Sequence, residues 1–160
     1  MKPIVPIIMG SKSDLAHGEA IAAGLAELGI ESQIRVASAH KAASYLLSML
    51  AGFEADARPK VYVTVAGRSN ALSGLVDGNV NAPVIACPPY SDRFGGADLF
   101  SSLRMPSGIA PLVVLDPGGA ALAAAKILGI GDAELREAVG TAQAAWTATI
   151  ITDDMELHPE

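Results

Sequence analysis

Serine, histidine and lysine stand together in "SAHK" (38–41), directly after the alternating run "ESQIRVA" (31–37). An imidazole with an ordinary pKa near 6.5 is suited to moving protons at neutral pH. Two more segments combine glycine, hydroxyls and charge. "MGSKSD" (9–14) puts Gly10, Ser11 and Ser13 at a turn from a strand into a helix. Exposed N–H groups there, with hydroxyls beside them, either hold a phosphate or are satisfied by an ordinary helix cap. Asp14 would repel a phosphate, yet it can accept hydrogen bonds from ribose hydroxyls. "AGRSNALSG" (66–74) offers the same choice. Gly67 permits close backbone approach, Arg68 brings charge, and Ser69 caps a helix or holds an anion.

Other groups carry less. His17 and His158 read as structural, one on a helix face and one in the tail. Cys87 reads as a small buried residue at a strand end. It is the only cysteine, so no intrachain disulfide forms, which fits a reducing cytoplasm. The chain has no Walker loop, no GxGxxG fingerprint, no biotin-type lysine motif and no His/Cys/Asp spacing for zinc.

The elements that must position these residues alternate along the chain. Strands are expected at 4–10, 30–38, 60–67, 82–89 and 111–116. Helices are expected at 14–28, 42–54, roughly 69–79 and 118–129, with a short one near 96–103 and a last one from 133 to about 152. Alternation of this kind predicts a parallel sheet with helices on both faces. The fold class is thus a doubly wound α/β/α layering, flavodoxin-like or Rossmann-like, with a mostly parallel five-stranded sheet and one domain over 1–160. Ligands of such sheets bind beyond the carboxyl ends of the strands. That is where "GSKSD", "SAHK", "AGRSN" and "CPPYSD" all fall. The last helix is surplus to this layering. Its apolar stripe of Leu135, Val139, Ala142, Trp146 and Ile150 calls for a partner surface, with docking back on its own subunit as the alternative.

Composition bounds the function. The 160 residues are 51% hydrophobic and 18% charged, enough for a packed core. A net charge of −6 without like-charge runs excludes non-specific nucleic-acid binding. No apolar run reaches the about 18–20 residues that span a membrane, and the N-terminus has no signal cleavage pattern.

Taken together, "MGSKSD", "SAHK", "AGRSNALSG" and "SSLRMPSGI" (101–109) resemble the aminoimidazole ribonucleotide carboxylase/mutase family of purine biosynthesis. The resemblance runs from residue 4 to about 150. It implies a flavodoxin-like fold, a homo-oligomer, most often an octamer, and no ATP, metal or biotin. It implies His40 as the catalytic base, with Ser11, Asp14, Ser38, Lys41, Gly67 and Ser69 binding the ribonucleotide. Ser13, Ala39, Arg68, Asn70, Met105 and Pro106 are further candidates from the same motifs. The family's mutases typically carry "SAHRTP" and "AAHLPG". Here Lys41 replaces the arginine and Ala71 the second histidine, and both departures resemble the class that carboxylates aminoimidazole ribonucleotide directly with CO2. The alternatives are the mutase itself and a non-catalytic flavodoxin-like module that binds a flavin or nucleotide.

Overall fold

The computed structural model describes residues 1–158. The first strand, β1 (Ile4–Met9), is buried along its whole length. Its side chains alternate between two cores, because successive residues of a strand point to opposite faces. Val5, Ile7 and Met9 join one cluster, Ile4 and Ile8 the other. β2 (Glu31–Val36), β3 (Tyr62–Val65), β4 (Val84–Ala86) and β5 (Leu112–Val113) complete a sheet of order β2-β1-β3-β4-β5, parallel throughout. The expected layering and sheet are thus present. The β1–β3 ladder runs from Ile7 to Met9, and Ile4 pairs separately with Lys60. Pro6, which has no N–H to donate, sits between.

On one face lie α1 (Leu15–Glu27), α5 (Pro117–Leu128) and the start of α6 (Ala133–Leu157), packed on Val63, Val65 and Ile85 through Ile21, Leu25, Ala121, Ala125, Leu135 and Val139. On the other lie α2 (Ala43–Ala55) and α3 (Ala71–Asp77), through Leu46, Leu50, Phe53, Leu72 and Val76. The alanine-rich face of α5 lets α1 come close. A Cβ built on Gly24 would lie 2.9 Å from the Cβ of Ala121.

Several expectations change in extent. β3 keeps only Tyr62–Val65 of the expected 60–67. β4 and β5 keep only three and two residues of the strands read from the sequence. β4 stops short of Pro88, since a proline cannot donate to a ladder. α6 continues to Leu157, past the expected end, and its stripe is divided. Leu135 and Val139 are buried against the subunit's own core, whereas Trp146 is 52% and Ile150 68% exposed. A cut after Gly131 would therefore remove core residues along with the projecting half. No helix of the described residues is long and apolar enough to cross a membrane.

The close approach of α1 to α5 gives a stability test. Gly24→Val should cost about 1–3 kcal/mol by overpacking against Ala121. Gly52→Ala, on α2 with nothing within 4 Å of the added methyl, should gain about 0.5–1 kcal/mol. Urea unfolding compares the two, and a Gly24→Val chain as stable as the parent would contradict the packing.

Candidate active site

Because all five strands run the same way, the loops after β1, β2, β3 and β4 leave one edge of the sheet together. They enclose a cleft of about 540 Å³. Gly10, Ser11, Ser13 and Asp14 line it from the first loop, and Ser38, Ala39, His40 and Lys41 from the second. Ala66, Gly67, Arg68 and Ser69 come from the third, and Pro89, Tyr90, Ser91 and Arg93 from the fourth.

In the first loop, a 3-10 turn over Lys12–Asp14 precedes α1. Ser11 is its cap, accepting from Ser13 N at 3.2 Å and from Ser13 Oγ at 2.9 Å. Asp14 makes no cap bond to α1, and its one side-chain hydrogen bond among the described residues is accepted from Ser13 Oγ at 3.3 Å. Its carboxylate is therefore open to a ligand. In the second loop the turn closes on itself: Ala42 N donates to Ser38 O at 2.9 Å and Lys41 N to Ser38 Oγ at 3.3 Å. This leaves the side chains of His40 and Lys41 exposed at the tip. Neither has a side-chain hydrogen bond or ion pair among the described residues.

The third loop departs from expectation in an instructive way. Asn70 rather than Ser69 caps α3, accepting from Ser73 N at 3.1 Å. Ser69 stays exposed with its hydroxyl free for a ligand. The left-handed backbone belongs to Arg68 (φ 58°) and not to Gly67. Such a conformation is costly for a residue with a Cβ. It is braced by Arg68 N donating to Asp98 Oδ2 at 3.3 Å and by Ser101 Oγ donating to Arg68 O at 3.2 Å.

Three sequence candidates do not reach the cleft lining. Asn70 is 4% exposed and turned inward. Met105 packs on α3, its Sδ 3.1 Å from where a Cβ on Gly74 would sit, and Pro106 is not among the residues that line the cleft. Conversely, Tyr90 and Arg93 line the cleft although no motif marks them; the only signal is that "CPPYSD" (87–92), with Arg93 just after it, follows a parallel strand. Lys41, Arg68 and Arg93 now concentrate positive charge at one place on an acidic chain. No cluster of metal-ligating side chains exists among the described residues.

His17 and Cys87 are 70 residues apart in sequence, yet His17 Nε2 lies 3.3 Å from Cys87 Sγ. Burial holds His17 below the ordinary imidazole range. Burial first, and the negative charge of Asp116 second, push the Cys87 thiol up to about 12. This is a neutral pair beside the cleft.

Comparison with known proteins bears on the cleft. Residues 4–149 match the model of the AIR carboxylase family. A phosphoribosylaminoimidazole carboxylase of Treponema denticola is 54% identical over 98% of this chain and 99% of its own. One of Archaeoglobus fulgidus is 54% identical over 95% of this chain and 83% of its own. The crystal structure of Treponema denticola PurE superposes with a TM-score of 0.97, covering 98% of this chain and 99% of that one, at 54% identity.

The shielding of Cys87 is directly measurable. A rise from 9.0 to about 12 leaves roughly a thousandfold less thiolate at a given pH. A thiol-disulfide reagent at pH about 8 should therefore label the folded chain at least that much more slowly than the unfolded one. Equal rates would contradict the burial of the thiol.

Proposed function

The chain belongs to the AIR carboxylase family, and from that premise we propose that it joins CO2 directly to C4 of 5-aminoimidazole ribonucleotide. The product is 4-carboxy-5-aminoimidazole ribonucleotide, in de novo purine biosynthesis, with neither ATP nor biotin consumed. One observation carries this reading over the mutase: the cleft has a single histidine, His40, while His17 is turned to Cys87 and His158 stands beyond α6. Position 71, where the mutase motif has its second histidine, is an exposed alanine.

The chemistry follows from the ring. Its amino group makes C4 electron-rich, so a C4 electron pair attacks the carbon of CO2. A C–C bond forms, one C=O π pair moves to oxygen, and a carboxylate results. C4 now carries both the carboxylate and its proton. Neutral His40 takes that proton, and the C–H electron pair restores the aromatic ring. One proton leaves for each CO2 fixed. Uncharged CO2 offers little to bind, so catalysis rests on holding C4 and CO2 in register. The hydroxyls of Ser11 and Ser69 and the ammonium of Lys41 receive the phosphate. Asp14 accepts from ribose hydroxyls, and Ser38 and Gly67 shape the wall.

We place the enzyme in the cytoplasm, acting as one domain over 1–160 within a homo-oligomer, most readily an octamer. The projecting half of α6 supports assembly, since Trp146, Ile150, Ile151 and Met155 are all more than half exposed in the isolated chain.

Supplied with aminoimidazole ribonucleotide and no ATP, the enzyme should turn over at a rate that tracks dissolved CO2 rather than bicarbonate. Turnover confined to the N5-carboxylated ribonucleotide would instead make it a mutase. His40→Asn should fold and bind nucleotide but lose about 10²–10⁴-fold in kcat. Activity within a few fold of the parent would return His40 to a structural role. Light scattering tests the assembly. A chain ending at Ala142, which keeps Leu135 and Val139, should fall apart into smaller species. Normal assembly by that chain would remove α6 from the interface.

A further inference from the structure

Thr64 and Ser73 are 0% exposed, Ser102 2% and Asn70 4%, and they are the only buried hydroxyl-bearing aliphatic or amide side chains among the described residues. All four belong to one network under the third loop of the cleft. Asn70 Nδ2 donates to Ser73 Oγ at 2.7 Å and to Ser102 Oγ at 2.9 Å. Asn70 Oδ1 accepts from Ser73 N at 3.1 Å, and Ser73 Oγ lies 2.7 Å from Thr64 Oγ1. The network thus ties β3, α3 and α4 (Phe100–Leu103) to each other. An otherwise apolar core gains little from such a cluster, since buried polar groups at best offset their own desolvation. What they do provide is a fixed geometry.

The segment fixed is Gly67–Ser69. Arg68 is the only non-glycine residue with positive φ among the described residues. Strain of about 1–3 kcal/mol persists only where the surroundings hold it. On its far side, Asn70 N donates to Ser101 Oγ at 2.9 Å, and the same hydroxyl donates to Arg68 O at 3.2 Å. Asn70 therefore anchors the loop twice, through its backbone to Ser101 and through its side chain to Ser102.

We propose that Asn70 is a positioning residue, whose bonds to Ser73 and Ser102 hold Arg68 in its left-handed turn and so aim Arg68 and Ser69 into the cleft. This rests on the reading that the cleft binds a phosphorylated ribonucleotide. It separates from a mere helix cap by what its loss does. A lost cap lowers stability and leaves the folded enzyme's kinetics alone. A released loop lets Arg68 relax to negative φ and carries Ser69 off the substrate.

Asn70→Ala and Ser102→Ala, made in the full chain, are assayed well below their melting temperatures. KM for the ribonucleotide should rise roughly ten- to a hundredfold in Asn70→Ala and by less in Ser102→Ala. Inhibition by inorganic phosphate should weaken in parallel, and the amides of 68–70 should exchange hydrogen faster. Wild-type KM, phosphate inhibition and exchange in both variants, with only a lower melting temperature, would overturn the proposal. If Asn70→Ala does not fold, Ser102→Ala decides alone: raised KM and faster exchange support the tie, and wild-type values overturn it. If the parent uses only the N5-carboxylated ribonucleotide, the CO2 reading fails, and KM for that compound still decides the role of Asn70.

Discussion

All five strands point one way, and the site depends on that fact. Parallel neighbours cannot be joined by tight turns, so each strand must hand the chain to a loop and a returning crossover. The carboxyl ends of β1, β2, β3 and β4 therefore open side by side. Serines, glycines and cations far apart in sequence meet there without a dedicated scaffold. The two apolar clusters on either face of the sheet make the arrangement rigid. Chemistry is left to the one edge that the helices do not cover.

At that edge the chain uses polar groups in two ways. Some are left free: His40, Lys41 and Ser69 end in solvent, with their turns closed by backbone bonds and neighbouring side chains. Others are consumed in holding the shape. Ser101 Oγ accepts from Asn70 N and donates to Arg68 O, Asp98 accepts from Arg68 N, and the Asn70 side chain is satisfied by Ser73 and Ser102. The cations Lys41, Arg68 and Arg93 face the same space as the carboxylate of Asp14. In the proposed reading, an anion and a ribose meet these groups at one place on a chain whose net charge of −6 would otherwise repel a phosphate.

The sequence made much of this legible, for physical reasons that also mark its limits. Strand and helix periods are local, so β1 through β3 and the long helices could be read directly. The strand-end rule then located the loops with chemistry in them. β4 and β5 were overestimated because the residues leading up to Pro88 and to Pro117 look like strand while the ladder has already ended. The contact of His17 with Cys87 was not legible, because nothing local joins residues 70 positions apart. The same holds for Asn70. In a motif it looks like a polar residue near a ligand, and only the packing of α4 over α3 shows its side chain facing in. The mutase motif quoted for comparison has alanine and proline at positions 70 and 73. Neither could make the bonds that Asn70 and Ser73 make here, so the departure at position 71 is part of a wider change.

In the proposed reaction, carboxyl groups enter and leave at C4 as CO2, with no stop on the exocyclic nitrogen. Running the reaction in reverse exposes this step. The 4-carboxylated ribonucleotide, labelled with carbon-13 in its carboxylate, is mixed with the enzyme and followed by NMR without ATP. Direct release of label as CO2, matched by aminoimidazole ribonucleotide at the enzymatic rate, is the predicted result. Label appearing first in the N5-carboxylate, with CO2 following only as that compound decays, would contradict it.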